Sequence, residues 1–315
     1  MKTKIINTII QNKFNAWLRT IKDEKVQALV KDNTIMTGGA IASMLLNEDV
    51  NDFDFYFRNL ETTKAVAQYY VSQFLQTKNE KDNESVLSDE SSNTVKVPIE
   101  VVESEGRVKI VAKSAGISAE EDVAPYRYFE LDQVPNSDPG GDYVKRLLEI
   151  RDELKSNHNS PEYKPVFLSS NAITLSNDIQ VVIRFYGEPA EIHENYDYAH
   201  CMNYWTSWEN KVTLNPKALE CLLTRELIYV GSKYPLASIC RMRKFIERGW
   251  HITAGQILKI VFQLGELNLK DFSTLEDHLT GVDMAYFFEI LAKMKEKDPT
   301  SVDSGYLSTL IDEMF

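Results

Sequence analysis

The chain has 315 residues, 43% of them hydrophobic and 26% charged, with a formal net charge of −12, a size and composition suited to two globular domains. The acidity argues against tight, sequence-independent nucleic-acid binding, which depends on Lys and Arg neutralising phosphates. No run approaches the roughly 20 apolar residues of a membrane span, and the apolar start from Ile5 to Ile10 is broken by Asn7 and Thr8, so neither a membrane segment nor a signal peptide is expected.

Ile9, Ile10, Phe14, Trp17, Leu18 and Ile21 keep helical spacing, and Val26, Leu29 and Val30 predict a second helix before a strand starting at about Thr34. Thr37-Gly38-Gly39-Ala40-Ile41 then reads as a turn into a short helix with Ile41, Met44 and Leu45 on its apolar side. Two glycines let the chain turn tightly and let a ligand approach the backbone, and amides at a helix N-terminus bind phosphate oxygens. The next strand, from Asp52 to Phe57, carries two carboxylates. Asp52 and Asp54 are two residues apart and face one side, while Phe53, Phe55 and Phe57 share the buried side. At an effective dielectric near 20 and a separation of roughly 5 Å the carboxylates repel by about 3 kcal/mol, which one or two divalent cations reverse into attraction.

Glu61 to Phe74 predicts a helix, and Lys78 to Thr94, polar and acidic without periodicity, a loop. Val95–Val102 and Arg107–Val111 alternate as a hairpin turning at Glu105-Gly106, with Pro98 placing the first strand at a sheet edge. Pro135 to Gly141 reads as a loop and Tyr143 to Leu154 as a helix. Strand signal returns in Pro165–Leu168, Ala172–Leu175 and Ile179–Phe185, followed by extended stretches at Ala190–His193 and Asn195–Ala199. In the last of these Asp197 alternates with Tyr196 and Tyr198 and falls on the face opposite them. His193 and His200 flank Asp197, but the five histidines lack metal-ligand spacing. Cys201, Cys221 and Cys240 resemble neither a disulfide framework nor a zinc site, so a reducing, cytoplasmic compartment is expected.

From Asn215 the pattern is helical, through Ala218, Leu219, Leu222, Leu223, Leu227 and Ile228 and again through Ile257, Leu258, Ile260, Val261 and Leu264. Arg225, Arg241, Arg243, Lys244 and Arg248 form a dense basic group between these runs. Arg241, Lys244 and Arg248 share a helical face and Arg243 points elsewhere. Such a group serves either as a solvated face or as counter-charge for a triphosphate.

Gly38-Gly39-Ala40-Ile41, Leu45-Leu46 and Asp52-Phe53-Asp54, with thirteen residues from Gly39 to Asp52, resemble the head-domain signature of polymerase-β-type nucleotidyltransferases. The branch containing CCA-adding enzymes and bacterial poly(A) polymerases is the most similar. Pro235-Leu236, Ile239, Arg243, Gly249-Trp250 and Ile252 are similar to the helix that follows the head in that branch, with Arg243 on a family arginine and Arg241 offset from it. The chain departs from the branch at Ala42 and Ser43, where Arg and Asp are usual, and it has no Glu-Asp-x-x-Arg base-selection sequence.

The resemblance implies an α+β fold: a mixed-sheet nucleotidyltransferase head over residues 1–205, with a large insertion at about 78–165, and a helical domain over 206–315. It implies transfer of a nucleoside monophosphate from a nucleoside triphosphate to a hydroxyl, with pyrophosphate leaving. Two Mg²⁺ ions, or Mn²⁺, would be held by Asp52, Asp54 and a third carboxylate that the fold requires. Asp197 is the candidate for that third position and for deprotonating the acceptor, with Glu191 and Glu103 in reserve. Gly38, Gly39, Ser43, Arg241, Arg243 and Lys244 are the candidate nucleotide contacts. An RNA or tRNA 3′ end, a protein hydroxyl or a small molecule are the candidate acceptors. A non-catalytic binding or structural descendant of the fold is the alternative.

Overall fold

The structure, a computed structural model, describes residues 1–85, 99–104, 106–112, 163–279 and 304–314. Two helices, α1 (Thr3–Leu18) and α2 (Glu24–Asn33), lead into strand β1 (Thr34–Thr37), helix α3 (Gly39–Leu46), strand β2 (Phe53–Phe57) and the long helix α4 (Leu60–Ser85). The hairpin β3 (Ile99–Ser104) and β4 (Arg107–Ala112) follows, then β5 (Pro165–Leu168), β6 (Ala172–Leu175) and β7 (Ile179–Tyr186). A short helix α5 (Pro189–His193) and a 3-10 turn (Ala199–Cys201) return the chain to β8 (Tyr204–Thr206) and β9 (Lys211–Thr213). Helices α6 (Pro216–Thr224), α7 (Pro235–Glu247), α8 (Ala254–Gly265), α9 (Phe272–Leu279) and α10 (Ser304–Met314) follow.

Seven strands form one sheet in the order β5-β6-β7-β2-β1-β8-β9. It is mixed, because β2 runs parallel to β7 while the other pairs are antiparallel. Period-2 alternation divides its faces. Phe53, Phe55 and Phe57 of β2, with Ile179, Val181 and Ile183 of β7, pack beneath Ile6, Ile10, Phe14 and Trp17 of α1 and Val66 and Tyr70 of α4. Trp17 stacks on Phe55 at 5.0 Å and donates its indole N–H to Tyr70 Oη at 2.6 Å, so the core's largest ring keeps its polar atom satisfied. Ile35, Tyr56, Val182 and Ile192 pack on the opposite face, which is the face that carries Asp54.

A third cluster ties the later helices to the sheet. Ala42 of α3 packs with Tyr198, Leu222, Leu227, Tyr229, Trp250 and Ile260. Gly249, at φ +82°, ends α7, and the Trp250 amide turns back to the Phe245 carbonyl at 3.0 Å, which brings the Trp250 ring into that cluster.

Several expectations are corrected. Residues 78–85, read as the start of a loop, continue α4; the helix is already nucleated by the apolar turns before it, and adding residues to a formed helix costs little. Residues 190–193, read as strand, are helical, because Pro189 at the first helical position and a reciprocal capping box between Glu188 and Glu191 start a helix there. Asn195–Ala199 is not a strand: Tyr198 makes one isolated bridge to Tyr229 and the chain then enters the 3-10 turn. Leu227 and Ile228 lie beyond α6, which ends where Arg225 takes a left-handed conformation, and the Leu227 amide donates to the His251 carbonyl. The sheet runs on to Thr213, past the expected boundary at residue 205. The β3–β4 hairpin buries Ile99, Val108 and Ile110 in the main core. The remainder of the polar stretch to Thr94, Val95–Pro98, Glu105, the Pro135–Gly141 loop and the Tyr143–Leu154 helix lie outside the described residues.

Candidate functional site

The site begins at the β1–α3 turn. Gly38 adopts φ +107° and ψ −158°, a conformation open to glycine, and its amide donates to the Cys201 carbonyl at 3.2 Å. Thr37 Oγ1 bonds His193 Nε2 at 2.8 Å and the Asn203 carbonyl at 2.9 Å, which anchors the residue before the turn. The cap residue Gly38 offers no side-chain acceptor to the first amides of α3, and Gly38, Gly39 and Ala40 all border a pocket. A β-carbon on Gly38 would stand 2.8 Å from Asp54 Oδ2 and 3.7 Å from Tyr196 Oη. The glycine thus lets the carboxylate lie directly against the turn, while among the described residues nothing stands within 4 Å of the corresponding position on Gly39.

A pocket of about 260 Å³ opens here, bounded by Gly38, Gly39, Ser43, Asp52, Asp54, Asp197 and Arg241 among others. Every sequence-predicted site residue lies on it except Arg243 and Lys244. Arg243 instead pairs with Glu247 and Asp312, each at 3.3 Å, on the far side of α7. Of the reserve carboxylates, Glu191 accepts from the Glu188 amide at 2.6 Å and Glu103 pairs with Lys64 at 3.1 Å, and neither lines the pocket. Asp197 sits in the bend after α5, not on a strand, and faces the pocket together with Tyr196 while Tyr198 is buried behind it. Arg241 Nε donates to Asp197 Oδ2 at 2.6 Å, so a predicted third carboxylate and a predicted nucleotide contact are joined to each other.

The pocket is also bordered by residues the sequence pattern did not single out. Arg184, Phe185 and Tyr234 all border the pocket, as does Arg248 of the basic group. Arg184 is a charged residue inside the apolar run Val181-Val182-Ile183, a signal that sequence reading could have used. Three acids and three arginines therefore face one cavity. Two buried histidines stand behind it. Burial lowers His193 to about 4 and His200 to about 4, so both are neutral at pH 7. Burial likewise pushes the Cys201 thiol up, leaving it protonated and unreactive.

Ala42, at the position where the resembling branch carries Arg, is buried among Tyr198, Leu222 and Trp250. That position packs the helical region onto α3 and does not reach the pocket. Among the described residues no group of three His, Cys, Asp or Glu side chains is arranged as a metal cage. Asp52 and Asp54 on the same pocket nonetheless suit Mg²⁺, which is commonly held by one or two carboxylates, waters and substrate phosphates in place of an all-protein cage.

Fold and pocket together define the class: an α+β protein whose mixed sheet carries an acid- and arginine-lined cavity at a diglycine turn. The profile of the Gabija anti-defense 2 family matches residues 8–225, and the chain belongs to that family. A curated relative, Gabija anti-defense 2 of Bacillus phage SPbetaL7, is 19% identical over 289 residues, covering 91% of this chain and 50% of its own length. The chain thus spans about half the length of that relative. Among solved structures, a tRNA-processing enzyme with CTP superposes over 90% of this chain and 55% of its own, at 10% identity and a TM-score of 0.35.

Proposed function

We propose that this protein serves a phage against the defence its family is named for, and that it does so as a divalent-cation-dependent nucleotidyltransferase. The observation that carries the catalytic part is the convergence of Gly38, Gly39, Asp52, Asp54 and Asp197 on one cavity beside Arg241. In this reading a nucleotidyltransferase head comprises residues 1–213, so that β8 and β9 stay with its sheet, with an insertion at about 78–165, and residues 214–315 form the helical domain. The α3 amides and Arg241 hold the triphosphate. Asp52 and Asp54 would hold Mg²⁺, which supplies charge neutralisation to the phosphates when bound. Asp197, oriented by Arg241, accepts the proton of an acceptor hydroxyl as its oxygen bonds the α-phosphorus. The bond from that phosphorus to the bridging oxygen breaks and pyrophosphate leaves. An RNA or tRNA 3′ end is the favoured acceptor, with a protein hydroxyl next.

A second reading, a non-catalytic member of the fold that binds a partner, is favoured by the Asp197–Arg241 ion pair, which engages a carboxylate the chemistry needs. One experiment separates the two. Purified full-length protein is incubated with each α-labelled nucleoside triphosphate, Mg²⁺ or Mn²⁺, and RNA or protein acceptors. Transfer of label that disappears in Asp52→Asn and Asp54→Asn supports catalysis. Label that persists in both variants removes the site assignment, and cation-dependent nucleotide binding without transfer favours the second reading.

A further inference from the structure

Strand β7 is irregular where it borders the pocket. Its pairing with β2 shifts between Val181 and Tyr186, and the amides of both Ile183 and Arg184 donate to one carbonyl, that of Asn171, at 2.9 and 3.1 Å. In a regular strand Arg184 and Phe185 would face opposite sides. The bulge brings both onto the pocket, while Ile183 stays in the helix-covered core. Tyr234, at the start of α7, completes the wall. The Arg184 guanidinium lies 4.0 Å from the centre of the Tyr234 ring, and the Phe185 and Tyr234 rings are 6.3 Å apart. Tyr234 is 4% exposed, and its hydroxyl is buried with no hydrogen-bond partner among the described residues.

Gln180, on the same strand, pairs in register with Asp54, so this wall begins four residues further along β7 from the carboxylate end. A wall of one guanidinium and two aromatic rings, here tilted 37° to each other, is the kind of surface on which nucleobases stack, and guanidinium over an aromatic face adds to it.

We infer that Arg184, Phe185 and Tyr234 form a seat for the planar base of a nucleotide whose phosphates lie at Gly38–Gly39 and Asp52–Asp54. This rests on the triphosphate reading above. It is tested by calorimetric titration of the full chain, with Mg²⁺, using inorganic tripolyphosphate and each of the four nucleoside triphosphates. At least one nucleotide binds roughly tenfold or more tighter than tripolyphosphate. Phe185→Leu and Tyr234→Leu each remove most of that advantage and leave tripolyphosphate affinity within about twofold, which also reports that the variant is folded. If Tyr234→Leu loses tripolyphosphate as well, Phe185→Leu alone decides. Equal affinity for nucleotides and tripolyphosphate in the wild type, or an advantage that survives the substitutions, overturns the base seat. Binding of neither compound is a different failure, since it removes the triphosphate reading itself.

Discussion

Replacing Gly38 with Ala tests the geometry on which the site rests. The residue sits at φ +107° and ψ −158°, a region that side-chain-bearing residues occupy at a cost of about 1–3 kcal/mol. The new methyl would also stand 2.8 Å from Asp54 Oδ2, closer than a real contact allows, so Asp54 must leave its rotamer for about another 1 kcal/mol. The expected destabilisation is about 2–4 kcal/mol, read as a fall in the urea midpoint. Because the group displaced is a proposed cation ligand, Mg²⁺-dependent triphosphate binding falls as well. Gly39→Ala is the control. It lies in the first turn of α3 with open space around it, so the fold is unchanged or stabilised by up to about 1 kcal/mol. Equal midpoints for the wild type and Gly38→Ala, or a Gly39→Ala loss as large as that of Gly38→Ala, would refute the reasoning.

Other outcomes follow from single contacts. Arg241→Met strands the Asp197 carboxylate, which is 8% exposed; it costs about 2–3 kcal/mol, discounted from a fully buried pair, and weakens triphosphate binding. Arg243→Met, on an exposed helix face, changes stability by less than about 0.5 kcal/mol and leaves binding unaltered; parallel urea and calorimetric titrations check both variants. Tyr70→Phe removes the acceptor for the buried Trp17 indole N–H and costs about 1–3 kcal/mol by urea unfolding, a loss below 0.5 contradicting the contact. Acid sensitivity comes from His193 and His200, lowered by burial to about 4 against about 6.5 when unfolded. Between those values the unfolded chain binds protons that the folded one does not, so stability is retained above about pH 6.5 and lost as pH falls toward 4, by up to about 3 kcal/mol per histidine. His200 is packed against Phe245 and Trp250 with Asp197 and Arg248 as its charged neighbours. His200→Leu therefore flattens the slope of the urea midpoint between pH 6.5 and 4, and an unchanged slope counts against this origin.

What was legible in the sequence was what short-range periodicity controls. Phe53, Phe55 and Phe57 announce a strand with one buried face because side chains alternate at period 2 whatever surrounds them, and Asp54 had to take the other face. The Gly38–Gly39 turn was equally readable, since few residues tolerate φ +107°. Local capping chemistry is encoded as well: Glu188, Pro189 and Glu191 make a helix start where Ala190–His193 was expected to be extended. Asp197 was placed in the pocket for a reason that did not hold. It reaches the cavity from a bend, because Tyr198 is drawn into the cluster with Tyr229 and Trp250, and no local pattern encodes that tertiary pull.

The basic group separates two kinds of inference. The resemblance put Arg243 at the nucleotide, whereas helical spacing alone put Arg241, Lys244 and Arg248 on one face and Arg243 on another. The fold brings Arg241 and Arg248 to the pocket, but not Lys244, and leaves Arg243 among Glu247 and Asp312. Which face a helix presents is fixed by its apolar residues, here Ala237 and Cys240 in the interior with Trp250 recaptured after the Gly249 turn. The register of functional charges follows from that packing, so a borrowed motif can keep its spacing and still lose its arginine. The bulge in β7 makes the same point from the other side. Arg184 and Phe185 share a wall only because β2 and β7 fall out of register between Val181 and Tyr186, and a register belongs to two strands at once, so neither strand's sequence contains it.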